Sequence, residues 1–393
     1  MIVLKRLVSI ILILSLCLLF GCTRIDNNPP EPETTTAKEL SDAEKLLASM
    51  STEEKVAQLF FVRADCIDET KTAEELVDPY AEGVKTVSDE MKAFYGKYPV
   101  GGFVIFAKNI DKPDQLKELT AQLHSLNEIT PFISIDEEGG RVSRIAANEN
   151  FDVERFDSME SIAATGKPAR AYNVGLTIGK YLKDYGIDID LAPVADINTN
   201  PKNRVIGNRA FGGNPNVAAD MVSSAVSGFH DAGTYCTLKH FPGHGDTAND
   251  THYGLATTDR TWDEMLNREL VPFVAGINAG ADIIMVAHIS CPKVTGDMMP
   301  ADLSAALVTD KLRGELGWNG LVATDDLSMG AITELFSPAE ASVLAVNAGC
   351  DMLLLSSHLP EAYAGVLTAV QEGKIPMERL DESVLRILEL KLK

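Results

Sequence analysis

Cys236-Thr237-Leu238-Lys239-His240-Phe241-Pro242-Gly243-His244-Gly245-Asp246-Thr247 starts as an apolar run and ends as a polar loop. Pro242 and the two glycines exclude a regular helix. The stretch therefore reads as a strand end entering a loop, where binding and catalytic groups gather. Asp250 and His252 follow closely, so Lys239, His240, His244, Asp246, Asp250 and His252 fall within fourteen residues.

On both sides of this stretch, apolar runs of strand length alternate with amphipathic helical stretches. Strands are predicted at 57–62, 101–107, 131–135, 187–194, 236–240, 282–288, 320–324 and 351–355. Helices are predicted between them, at 215–232, 338–348 and 376–390 among others. In the first of these Met221, Ala225 and Phe229 share one face. The form of Ser51-Thr52-Glu53-Glu54 is that of a capping box opening a helix. Buried strands alternating with helices imply a parallel sheet covered by helices. Eight such units in one chain suggest an α/β, TIM-like (β/α)8 barrel forming a single catalytic domain. An open doubly wound sheet is the alternative, but no Gly-rich phosphate loop follows an early strand. Residues 67–98 form a long acidic connection with a helix near 88–95, a lid or an insertion.

The 393 residues are 45% hydrophobic and carry a formal net charge of −22. That charge argues against nucleic acid or anionic lipid as a main partner. Residues 1–22 place Lys5 and Arg6 before an apolar run ending at Gly21-Cys22, the pattern of a signal peptide. Leu19-Phe20-Gly21-Cys22 resembles a bacterial lipobox, which implies cleavage before Cys22, lipid attachment to it and an extracytoplasmic, membrane-anchored location. Residues 23–40 are a polar, Pro- and Thr-rich tether. The globular domain is expected over 41–393, as a monomer. Cys66, Cys236, Cys291 and Cys350 form no CxxC pair and read as small buried residues, one of which could still be reactive.

The predicted strands end in chemistry: Asp136, Asp196, Lys239 with His240, His288, Asp325 with Asp326, and Ser356. A barrel gathers such residues at one end, and half-buried carboxylates there need a partner or a purpose. Together they predict one polar pocket suited to a polyhydroxylated ligand. Asp325, held on a rigid strand end, could attack a sugar C1, stabilise a cation or bind a metal. Asp250 beside His252 puts a carboxylate next to an imidazole that titrates near neutrality. A rigid carboxylate with an acid/base on a loop describes a retaining glycosidase in which a histidine replaces one of the usual two carboxylates. A zinc hydrolase using His240, His244, Asp246, Asp250 and His252 is a second reading, although Phe241-Pro242-Gly243 cannot form the helix that His-x3-His spacing needs. A lipoprotein that binds sugar without chemistry is a third.

Lys239–Thr247 followed by Asp250-Thr251-His252, Asp136–Arg144, Val205–Phe211 and Thr324–Met329 together resemble family 3 glycoside hydrolases, in the β-N-acetylglucosaminidase branch. The resemblance covers the chain from about residue 43 to its end. It implies a TIM-like barrel that removes terminal β-linked N-acetylglucosamine with retention and needs no metal or other cofactor. It assigns the nucleophile to Asp325 rather than Asp326, the acid/base to His252 and its supporting acid to Asp250. It places Asp136, Arg144, Arg209, Lys239 and His240 against the sugar, while Asp196 and His288 are expected to line the same pocket. Thr251 stands where the family often has Ser. The family also includes β-glucosidases and phosphorylases, so the acceptor, water or phosphate, stays open. The expected substrate is a glycan containing N-acetylglucosamine, from cell-wall muropeptides or chitooligosaccharides.

Overall fold

The computed structural model describes residues 40–247 and 254–393. The predicted signal segment with Cys22, the tether up to residue 39, and the Asp250–His252 pair lie outside the described residues. Among the described residues ten strands occur: β1 (Phe60–Arg63), β2 (Gly102–Ile105), β3 (Phe132–Ile135), β4 (Ile189–Asp190), β5 (Tyr235–Phe241), β6 (Ala256–Thr257), β7 (Ile283–Val286), β8 (Ile289–Ser290), β9 (Leu321–Thr324) and β10 (Leu353–Leu355). Eight of them form one sheet in the order β10-β1-β2-β3-β4-β5-β7-β9, every pair parallel. The outer two meet: Thr324 N–H donates to the Met352 carbonyl at 2.9 Å, and Met352 N–H to the Val322 carbonyl at 3.0 Å. The ring is the predicted (β/α)8 barrel, and an open doubly wound sheet is excluded. β6 and β8 pair separately, following the β5 and β7 strand ends.

Three predicted elements differ from what forms. Ala57 and Gln58 belong not to the first strand but to the helix Thr52–Gln58, which Ser51 and Glu54 cap reciprocally as the sequence indicates. The apolar run at 187–194 pairs as a strand only over Ile189–Asp190, because Pro193 has no N–H for the ladder. The 67–98 connection holds the expected helix as Asp89–Lys97, capped by Ser88, and also a short helix, Ala73–Val77. Lys108 binds the carbonyls of Glu75, Leu76 and Asp78 at the end of that short helix, and Arg63 binds Leu76 as well. Two barrel cations thus fasten the connection to the rim by meeting the carbonyls a helix end leaves unpaired.

The foot of the barrel uses one device three times. Asp188, Asp282 and Asp351 each stand just before a strand and accept a backbone N–H from the strand beside it, namely Ile133, Cys236 and Val322. Each also pairs with basic side chains: His124 on Asp188, His230 on Asp282, and Arg313, Arg379 and Arg386 on Asp351. Asp351 is fully buried. Burial alone would raise its carboxyl, but the three arginines hold it below its ordinary value.

Outside the sheet, the helices Pro168–Asp184 and Pro215–Ala232 pack closely through Gly175 and Gly228. A Cβ on Gly175 would lie 2.3 Å from the Ala225 carbonyl oxygen, and one on Gly228 would lie 2.2 Å from that of Tyr172. Met221, Ala225 and Phe229 are buried on the face the periodicity indicates. Ser41–Lys393 form one compact unit. Within it Cys66, Cys236, Cys291 and Cys350 are free and buried. Burial raises all four thiols, Cys291 to about 12, so none is a ready nucleophile near neutrality.

Candidate active site

A cavity of about 730 Å³ opens at the C-terminal ends of the strands, within the size range of small-ligand sites. Asp136, Arg144, Arg209, Lys239, His240 and Asp325 line it, together with Arg63, Glu138, His244 and Ser356. Residues spread over nearly 300 positions of sequence, from Arg63 to Ser356, meet there because each follows or ends a strand of one barrel.

Most of the charge lies in one connected chain. Arg144 Nη2 lies 3.4 Å from Asp136 Oδ2. Lys239 Nζ is 2.7 Å from Asp136 Oδ1 and 2.7 Å from Glu138 Oε1. Arg209 grips Glu138 with two donors, Nε at 2.8 Å and Nη2 at 2.6 Å, the fork geometry suited to a carboxylate. Burial alone would raise both carboxyls. Instead Lys239 and Arg144 hold Asp136 far below the usual range, and Arg209 and Lys239 bring Glu138 down to about 2. Lys239 is 2% exposed. Burial would strip its proton, but Asp136 and Glu138 outweigh burial and raise it. Asp136, Glu138 and Lys239 are therefore held in their charged forms at neutral pH.

His240 is set from below. Asp196, fully buried, accepts its N–H at 3.1 Å and its Nδ1 at 2.7 Å, and also accepts the His244 N–H at 2.5 Å. Nδ1 therefore carries the proton, and Nε2 accepts from Arg209 Nη2 at 3.4 Å. Burial and the neighbouring His240 lower His244, whose Nδ1 lies 2.7 Å from the Thr247 hydroxyl. The loop keeps close to its neighbour: a Cβ on Gly245 would lie 1.9 Å from the Ile197 carbonyl oxygen.

Across the cavity, Asp325 directly follows β9, its N–H donating to the Val286 carbonyl at 2.9 Å. Its Oδ1 accepts the Asp326 N–H at 2.8 Å. Asp326 also lines the cavity, but its carboxylate is engaged: its Oδ1 accepts from Ser328 N–H at 2.9 Å and Ser356 N–H at 3.1 Å, and its Oδ2 accepts the Ser356 hydroxyl. On the near wall Arg63 stacks 3.9 Å above the Phe106 ring, with Arg144 5.7 Å from the same ring, a cation–π arrangement.

Two expectations need correction. Asp196 and His288 do not line the cavity; both are fully buried. Asp196 is used up beneath His240, and His288 lies between Asp302 and the Asp326 carbonyl. The metal reading also loses a member, because Asp246 is engaged by Arg260 at 3.0 Å and by Thr199. Among the described residues the only three-donor grouping with metal-like spacing is His230, Cys236 and Asp282, at the foot of the barrel. There the His230–Asp282 pair repeats the His124–Asp188 device and is accounted for as a clamp.

Sequence reasoning missed Glu137 and Glu138. Glu137 is fully buried and accepts from the N–H groups of Arg144, Ile145 and Ala146 and from the Tyr181 hydroxyl. It shapes the loop that carries Arg144. Their signal was present, two further acids directly after Asp136 and just before a glycine pair.

Residues 51–390 match the model of the Glycosyl hydrolase family 3 N terminal domain. The chain is 35% identical over 336 residues to beta-hexosaminidase A of Pseudoalteromonas piscicida, covering 78% of this chain and 56% of that protein. It is 36% identical over 273 residues to a beta-hexosaminidase of Xanthomonas campestris pv. campestris (strain B100), covering 69% of this chain and 81% of that one. Among solved structures it resembles a family 3 beta-N-acetylglucosaminidase from Paenibacillus sp. str. FPU-7, with 37% identity and a TM-score of 0.79, over 88% of this chain and 62% of that one. A beta-glucoside phosphorylase superposes with a TM-score of 0.77 at 26% identity, over 90% of this chain and 61% of that one. The chain thus spans little more than half of the Pseudoalteromonas protein and under two thirds of the Paenibacillus one. With the barrel, its strand-end site and the match over residues 51–390, the chain belongs to glycoside hydrolase family 3.

Proposed function

We propose that the chain is a retaining exo-β-N-acetylglucosaminidase, held outside the cytoplasmic membrane by lipid on Cys22. It releases terminal N-acetylglucosamine from cell-wall muropeptides or chitooligosaccharides. The observation that carries the reading is the linked set Arg144–Asp136–Lys239–Glu138–Arg209 with His240, facing Asp325 across one cavity. Fixed charges at several angles suit the hydroxyls of one terminal sugar ring. The named activity of the hexosaminidase relatives supports the sugar.

In this reading the Asp325 carboxylate attacks C1 while His252, supported by Asp250, protonates the leaving oxygen. Water, deprotonated by His252, then breaks the C1–Asp325 ester and restores the carboxylate. Each half-reaction inverts C1, so the product keeps the β configuration. In sequence, Asp250 and His252 follow His244, which lines the cavity, by six and eight residues.

The test is hydrolysis of 4-nitrophenyl β-N-acetylglucosaminide beside the β-glucoside, with and without phosphate. Preference for the acetamido sugar and a loss of about a thousandfold or more in kcat for Asp325→Ala are expected. Near-wild-type turnover by Asp325→Ala would remove the nucleophile assignment. Sugar 1-phosphate as the main product with phosphate present would favour a phosphorylase, a reading suggested by the likeness to the beta-glucoside phosphorylase.

A further inference from the structure

His288 and Asp302 form a fully buried pair under the Asp325 turn, reaching neither the cavity nor the surface. His288 Nδ1 lies 3.0 Å from Asp302 Oδ2, and Nε2 lies 2.9 Å from the carbonyl oxygen of Asp326. A carbonyl only accepts, so Nε2 carries a proton and donates it. From the other end of the same residue, Asp326 N–H donates to Asp325 Oδ1. The Asp326 side chain is tied to Ser328 and Ser356. The residue whose N–H donates to the Asp325 carboxylate is thus held at its carbonyl by the imidazole.

Packing alone does not explain such a pair. An apolar side chain would fill the same volume without the desolvation that buried charged or polar groups cost. Asp302 Oδ1 moreover has no hydrogen-bond partner, so the pair is not arranged for best stability. We infer that His288, oriented by Asp302, is a positioning residue that sets the direction of the Asp325 carboxylate through the Asp326 backbone. The inference rests on the reading of Asp325 as nucleophile. The groups facing the imidazole are Asp302 on one side, the Asp326 carbonyl on the other, and Asp325 through space. Burial would lower the imidazole, but Asp302 outweighs it and lifts it to about 9. Burial raises Asp302 as well, against the pull of His288. Both shifts keep the shared proton within the pair, and its loss at alkaline pH leaves a net negative charge beneath Asp325.

The experiment uses the full chain and 4-nitrophenyl β-N-acetylglucosaminide, with Asp325→Ala as the inactive reference. His288→Ala is expected to lower kcat about tenfold or more while KM moves less than about threefold, the mark of a lost transition-state interaction. His288→Gln, which can still donate to a carbonyl, is expected to recover part of that loss. Asp302→Asn is expected to move the alkaline limb of the kcat profile to lower pH, an effect that loss of packing alone would not produce. A folded His288→Ala with kcat within about twofold of wild type overturns the inference. If both His288 variants fail to fold, an unmoved alkaline limb in Asp302→Asn overturns it. Absence of turnover by the wild-type chain would defeat the functional reading instead. The frame would then be decided by 15N NMR of His288, where an Nε2 without a proton at pH 7.5 overturns it and a protonated Nε2 upholds it.

Discussion

Replacing Glu138 by Gln removes one negative charge from between Lys239 and Arg209 while keeping the shape. Glu138 is 4% exposed and its carboxyl falls from the ordinary 4.5 to about 2. At about 1.4 kcal/mol for each tenfold change in the ionisation equilibrium, that depression contributes about 3 kcal/mol at pH 7. The figure agrees in size with the roughly 3–5 kcal/mol lost when one member of a buried ion pair is removed. The sign follows from the direction of the shift. A depressed carboxyl stabilises fully above its unfolded value and loses that contribution as pH falls through the folded one. Between pH 7 and pH 3.5 the wild-type advantage should therefore shrink from about 3 to about 2 kcal/mol. Urea unfolding of both proteins at both pH values measures it. A gap below about 1 kcal/mol at pH 7, or one that widens in acid, would refute the reasoning. KM should rise in the variant, since both cations lose the acceptor that aims them.

At the foot of the barrel, Asp351→Asn leaves Arg313, Arg379 and Arg386 without their shared anion and should cost about 3–5 kcal/mol in urea unfolding. The kcat/KM of the folded fraction should be unchanged, and a cost under about 1 kcal/mol would sink the clamp reading. His230→Gln tests the same device by pH: the Asp282 hydrogen bond raises His230, so its stabilisation is complete below the value of free histidine and disappears as pH rises through the raised one. The difference between the two urea midpoints should be largest in mildly acidic solution and close in alkali. A difference that grows with pH would contradict the pairing.

How much of this was legible in the sequence depended on the range over which the cause acts. The strand ends were legible because a buried apolar run followed by Asp, Lys or His is a local pattern, as at Ile135–Asp136 and Thr324–Asp325. The 187–194 strand was overextended because hydrophobicity alone does not weigh the missing N–H of Pro193. The helix Ala73–Val77 was missed because five residues carry little periodicity, and Lys108 and Arg63 hold its end from other elements. Asp196 and His288 were assigned to the cavity because they end strands, yet each serves a neighbour. Glu137 and Glu138 were passed over because their partners, Tyr181, Arg209 and Lys239, lie tens of residues away.

The chain of alternating charges around the cavity also governs how a ligand arrives. Arg144, Lys239 and Arg209 are matched by Asp136, Glu138 and the Asp196 beneath His240, so that wall has almost no monopole although the whole chain carries −22. A wall compensated from within collects few counter-ions and exerts little long-range pull. An uncharged sugar therefore enters by plain diffusion and meets strong dipoles only at contact. Its capture should be nearly indifferent to ionic strength.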